Sequence, residues 1–237
     1  MNKLFYLLAA ALLVAAYPTG ASAQLKIGGK KLNTGKLLSA GKDVAKAITL
    51  SDDDIARLSR ESVEWMDANN PVADDSTSYG ARLKRLTQGI TEVDGLPLNF
   101  KVYLVTDVNA FACGDGSVRV CGGLMKIMDD NEVMAVIGHE IGHVLHSDSK
   151  DAMKNAYLTS AAKNAAGATS DVVAKLSDSQ LGDLATALAG AQYSQKQENE
   201  ADDYGFEFSV ANGYDPYSMH DSLAKLLELS ADAPKSS

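Results

Sequence analysis

The spacing of apolar residues changes character several times along the chain, and each change marks an element. Behind Met1-Asn2-Lys3 the run LFYLLAAALLVAA is apolar without period, and it gives way to YPTGASA, where Ala21 and Ala23 are small. A charged start, a short apolar run and a small-residue exit are the marks of a secretory signal peptide over residues 1–23, cut after Ala23. The run is shorter than the ~20 residues a bilayer-spanning helix needs. The basic stretch QLKIGGKKLNTGKLLSAGK comes next, and residues 24–46 read as a flexible arm. Its lysines suit peripheral contact with an anionic membrane surface, although a solvated arm is the simpler reading.

Residues 47–237 carry the pattern of one folded domain. Ser51 followed by three aspartates reads as a helix N-cap with acids in the first turn, and that helix runs to about Asn70, before Pro71. YGARLKRLTQGI makes a second helix, closed by Gly89 or by the turn signal Asp94-Gly95. The runs NFKVYLVTD, VNAFAC and SVRVCGG are rich in β-branched and aromatic residues, and they predict three short strands, the last two forming a hairpin across GDG. From Asp130 or Asn131 the period becomes helical, so NEVMAVIGHEIGHVLH forms one helix, buried by its own isoleucine, valine and leucine. Residues 157–191 are rich in alanine, serine and glycine, which suits close helix packing, with a flap over a cleft as the alternative. A polar helical stretch, QYSQKQENEADDYGFEFSVANG, and a last helix, SMHDSLAKLLELS, complete an α+β class: mainly helical, with a small three-stranded sheet before the histidine helix.

Charge narrows the partners. The chain has a formal net charge of -9, and loss of the leader with Lys3 makes it more negative still. Nucleic acid is a poor match, because its binding rests on lysine and arginine facing phosphates. The two cysteines, Cys113 and Cys121, flank GDG. A hairpin centred on Ser117 would bring them face to face; one centred nearer Asp115 would not.

The candidate chemistry lies in VIGHEIGHVLH, which holds three of the four histidines. On a helix, residues i and i+4 share a face, so His139 and His143 can aim their imidazoles at one metal ion. Glu140 stands roughly 100° round the helix, beside the ion and not among its ligands, where a base must be to take a proton from water. His146 shares the ligand face but lies about 10 Å along the axis from His139, too far for ~2 Å metal–nitrogen bonds from a straight helix, and reads as a surface or outer histidine. A third ligand is better sought among the carboxylates of QENEADDYG. Glu198 and Asp202 are one turn apart, so one can bind the ion while the other orients a histidine. Such a His2Glu set leaves a position open for water, as hydrolytic zinc sites do. Spacing does not choose between Glu198 and Glu200.

HEIGH with ENEAD downstream resembles the zinc peptidase family that includes the HtpX heat-shock protease and the CAAX prenyl protease, and within it the LoiP-like periplasmic metallopeptidases. The resemblance runs over about residues 47–230, through VYLVTDVNAFACGDGSVRVCGGLMKIMDDNEVMAVIGHEIGHV, LSDSQLG and YSQKQENEADDYG. It implies a gluzincin-like zincin domain with one Zn2+ per chain, ligated by His139, His143 and Glu198, with Glu140 as the catalytic base and Asp202 behind a ligand. It further implies a periplasmic or secreted endopeptidase acting on unfolded or misassembled envelope proteins.

The chain departs from that family at three points. The leader has no lipobox, Lys196 stands where an arginine is common, and the sequence stops at Ser237 before any later His-Pro segment with an arginine, so either the sequence is truncated there or that part of active-site support is absent. The missing segment motivates a competing expectation, a zinc-stabilised envelope chaperone or assembly factor that does not cut. Tyr193, Lys196 and His220 are candidates for a further electrophile. An exposed edge of the strand Ser117–Cys121, if not covered by a loop, could receive an extended substrate.

Overall fold

The computed structural model describes residues 50–163 and 176–231, together with a short antiparallel pair, β1 (Lys26–Ile27) and β2 (Lys30–Lys31). The leader, most of the basic arm and residues 164–175 of the alanine-rich stretch lie outside the described residues.

Helix α1 (Asp52–Asn69) begins as its sequence dictates: Ser51 accepts from the Asp54 N–H, Asp54 reaches back to the Ser51 N–H, and three aspartates occupy the positive end of the helix dipole. Helix α2 (Ser78–Leu86) is shorter than its apolar pattern suggests. Past Thr87 the chain turns at Gly89, whose φ of 88° ends the helix. A two-residue hairpin follows, β3 (Glu92–Val93) and β4 (Leu96–Pro97), folded about Asp94 and Gly95, both in the left-handed region.

The three expected strands are β5 (Asn99–Tyr103), β6 (Ala110–Ala112) and β7 (Ser117–Cys121), ordered β5-β7-β6. β6 and β7 form the antiparallel hairpin, while β5 pairs with β7 in parallel. This order corrects the expected substrate edge. β7 is the central strand, hydrogen-bonded on both sides and buried at every residue, and has no free edge to offer. The hairpin register also settles the cysteines. Cys113 donates its N–H to Ser117 and Cys121 donates to Asn109, so the two thiols do not oppose each other; both are free and buried.

Helix α3 (Gly122–Ile127) follows β7 directly and has no side-chain cap, which is why no sequence signal announces it. Gly123 is required there: a Cβ would sit 2.2 Å from the Thr106 carbonyl oxygen. Helix α4 (Asp130–Leu145) carries the histidines and starts at a capping box between Asp129 and Glu132. Every residue from Glu132 to Val144 is buried, so the helix is surrounded on all sides. Helices α5 (Asp148–Lys163), α6 (Asp178–Ala189), α7 (Gln195–Ala211) and α8 (Ser218–Ala231) complete the described chain.

Alternation along the strands builds two cores. Val102, Ala110, Ala112, Val118 and Val120 face Leu83, Leu124, Met134, Ile137 and Ile141 of the helices α2 to α4. On the other face, Tyr103, Phe111 and Cys113 meet Leu58 and Met66 of α1, Met153 of α5 and Leu184 of α6. Leu184, Ala185 and Leu188 anchor α6 by ordinary helical packing, which bears on the Asp178–Ala189 part of the alanine-rich stretch alone. A partly buried polar cluster joins α1 to this second face: Arg119 grips the Asp67 carboxylate through Nε and Nη2 at 2.9 and 3.1 Å, with Lys101 and Tyr103 at 2.7 and 2.8 Å.

Candidate metal centre

Small residues decide how close α4 and α7 come. Gly138 and Gly142 lie one turn apart on α4, opposite Ala201 and Gly205 on α7. A Cβ on Gly142 would lie 3.0 Å from Ala201 Cα, and one on Gly205 would lie 2.9 Å from the His139 main-chain nitrogen. The helices therefore pack almost backbone to backbone, and side chains beside this seam must share one narrow space.

His139, Glu140 and His143 of α4 enter that space together with Glu198 and Asp202 of α7. Asp202 Oδ1 is 2.7 Å from His139 Nδ1, and Asp148 Oδ2 is 3.0 Å from His143 Nδ1. A carboxylate accepts from the Nδ1–H beside it, and an imidazole that is neutral in that tautomer presents a lone pair at Nε2. Those two Nε2 atoms face each other at 3.1 Å, and Glu198 Oε2 lies 3.6 Å from the Nε2 of His139. Among the described residues, His139, His143 and Glu198 each offer one ligand atom, all within 4.8 Å of one another. In the neutral tautomers that the two aspartates favour, two lone pairs and a carboxylate oxygen converge, a donor set that fits a metal.

Burial sharpens that polarity. Burial and the neighbouring His139 push the His143 imidazole down to about 4, so it is neutral and ready to ligate. Burial works against charge on His139 too, but the Asp202 bond and the carboxylates of Glu140 and Glu198 outweigh it and raise its pKa. Glu140 is buried, and desolvation lifts its carboxyl to about 7, with His139 and the Ala112 N–H opposing and Glu198 reinforcing the shift. Glu198 is raised as well, chiefly by burial. His139, His143 and Glu198 thus form a compact group with Glu140 beside it.

The sequence-predicted residues separate cleanly. Glu198 faces the histidines, whereas Glu200 pairs with Lys196 at 3.3 Å. His146 caps the end of α4 and is exposed. Lys196 and His220 have side chains about four-fifths exposed, at 83% and 79%, away from the centre. Tyr193 is at the centre: its ring stacks on His143, with centroids 3.9 Å apart and planes inclined by 26°. Asp148 was not anticipated. It reaches His143 because the chain reverses at Ser147, with φ 67°, between α4 and α5; an acid just past a helix was visible in HVLHSD, but the sharp return was not.

The model of peptidase family M48 matches residues 79–231. The chain belongs to peptidase family M48. Over 199 residues it is 41% identical to metalloprotease YcaL of Escherichia coli K12, covering 84% of this chain and 78% of that protein. It is 40% identical over 203 residues to metalloprotease LoiP of the same strain, covering 85% and 81%. It is 30% identical over 198 residues to the β-barrel assembly-enhancing protease of Yersinia pestis, of which it spans only 39%. As an M48 peptidase the chain is a metalloprotease, and the family implies a metal cofactor that the converging donors fit. No helix among the described residues is long and apolar enough to cross a membrane.

Proposed function

We propose that the chain is a zinc-dependent endopeptidase that cuts unfolded or misassembled proteins of the cell envelope, with one Zn2+ held by His139, His143 and Glu198. The observation that carries this reading is the apposition of two carboxylate-backed Nε2 atoms with a third donor from a separate helix. Two histidines and a carboxylate are a hydrolytic zinc set, with room left for water and substrate. A bound zinc ion supplies Lewis acidity to a water nucleophile and to the scissile carbonyl.

The protein's own residues do the rest. Glu140 stands roughly 100° round α4 from His139, beside the metal position, where its carboxyl would take the proton of the attacking water and pass it to the leaving amine. Its desolvated surroundings bring its affinity for a proton close to neutrality, where both transfers are feasible. Asp202 and Asp148 hold the two imidazoles in the tautomer that presents Nε2.

The envelope substrate class is supported by the leader pattern of residues 1–23 and by the relatives, one of which carries β-barrel assembly in its name. The same leader supports a periplasmic or secreted location.

Glu140→Gln should retain zinc and lose casein hydrolysis by about a thousandfold or more, the scale of a missing general base. Cleavage at the parental rate by that variant would overturn the mechanism. If the parent never cleaves casein, yet parent and Glu140→Gln suppress aggregation equally, the protein is a zinc-stabilised chaperone instead.

A further inference from the structure

The N-terminal end of α7 does more than deliver Glu198. Ser194 caps the helix and Gln197 closes a capping box, its Oε1 accepting from the Ser194 N–H at 2.9 Å and from the Ser194 hydroxyl at 2.8 Å. The other end of the same amide, Nε2, donates to Asp148 Oδ1 at 2.6 Å. Asp148 is buried and uses its second oxygen on His143 Nδ1. One residue before the cap, Tyr193 lays its ring on the face of the same imidazole, and its hydroxyl lies against Ser149, the neighbour of Asp148.

Resting on the zinc reading above, we propose that Tyr193 and Gln197 are positioning residues that clamp His143: Tyr193 fixes the plane of its ring and Gln197 fixes the carboxylate that orients it. Gln197 and the third ligand belong to the first turn of α7, and Tyr193 directly precedes its cap. The position of α7 therefore sets Glu198 and the aim of His143 together, and a shift of that turn loosens both. Without Gln197, Asp148 keeps one oxygen on His143 but loses the bond that aims it, and the imidazole can swing with it. Without the Tyr193 ring, the flank of His143 opens to water.

Substitution can divide the cap from the clamp, because a glutamate caps as well as a glutamine but cannot donate. Gln197→Glu keeps the acceptor for Ser194 and sets a carboxylate against Asp148. Helix α6 provides the control: Ser177 and Gln180 form the same box, with bonds of 3.0 and 2.9 Å to the glutamine Oε1. Gln180→Glu changes a cap alone.

The experiment uses the full chain loaded with Co2+ and follows the metal's visible absorption, its release to a chelator, and thermal unfolding of the metal-free protein. Gln197→Glu should release metal about ten to a hundred times faster than the parent and change the absorption band, whereas Gln180→Glu should keep the parental release and band. Tyr193→Leu should also release metal faster, and Tyr193→Phe, which keeps the stacked ring, should restore retention to within about twofold. Parental release and spectrum in Gln197→Glu would overturn the role of Gln197, whether or not the leucine variant folds. Equal release from Tyr193→Phe and Tyr193→Leu would overturn the stacking role. A parent that takes up no Co2+ or Zn2+ would instead refute the metal centre on which the inference rests.

Discussion

Two partly buried polar clusters stand in the molecule, and they are built on opposite terms. Around Asp67, every acceptor meets a donor: Arg119, Lys101 and Tyr103 surround one carboxylate. Around His139 and His143 the outer nitrogens are paired with carboxylates, while the inner ones and Glu198 converge as potential ligands. A carboxylate surrounded by donors is a structural tie, whereas two carboxylate-backed imidazoles converging with a third carboxylate have the chemistry to hold a cation. Burial alone does not tell them apart, since Arg119 and His143 are each 1% exposed.

The largest expected difference is the response to chelation. Removing metal should abolish hydrolysis outright and lower stability by ~4 kcal/mol relative to protein at zinc a thousandfold above its dissociation constant. Hydrolysis that survives exhaustive chelation would dissolve the distinction between the clusters. Next in size, Asp67→Ala leaves the buried Arg119 guanidinium without its partner and should cost ~3 kcal/mol of stability, measured by denaturant unfolding. Zinc content per folded chain should not change in that variant; if it falls, the two clusters are not independent.

Much of this contrast was legible in the sequence from one side only. The i, i+4 spacing of His139 and His143 requires only local helix geometry, and the caps at Ser51 and Asp129 are equally local. Asp67 gave no such signal, because its partners lie 34, 36 and 52 residues away in strands whose order the pattern did not contain. Strand order likewise decided the fate of the Ser117–Cys121 edge, which neighbouring β5 covers by a parallel pairing that no turn announces. Asp148 and the seam of Gly138, Gly142, Ala201 and Gly205 were hidden for a related reason. Their roles arise where two helices meet, and the sequence lists the helices separately.

That seam supplies a smaller test. Gly205→Ala puts a methyl group against the His139 nitrogen and the Ala135 carbonyl oxygen, at 2.9 and 3.1 Å, so α7 must move. A loss of ~1–3 kcal/mol is expected, typical of overpacking. Zinc affinity should fall as well, because Glu198 moves with the helix; a destabilised variant with parental zinc affinity would mean the seam supports the fold without tuning the centre.

The smallest effect is a pH dependence. Burial opposes charge on Asp67, but hydrogen bonds from Arg119, Lys101 and Tyr103 outweigh it and hold the carboxyl below its ordinary range. A depressed folded-state pKa contributes stability that is fully present above the unfolded value of ~3.9 and is lost as pH falls through the folded value. Subtracting the metal-free Asp67→Asn stability curve from that of the metal-free parent should therefore leave a contribution that declines only below about pH 4. A flat difference down to pH 2 would remove the ionised Asp67 from the account.

The central claim is that one zinc ion is bound by donors from two helices, and zinc content settles it most directly. Purified parent protein should carry one zinc per chain, Glu200→Ala should carry the same, and Glu198→Ala should carry almost none after dialysis. Equal zinc in Glu198→Ala and Glu200→Ala, or a parent that binds none, would contradict it.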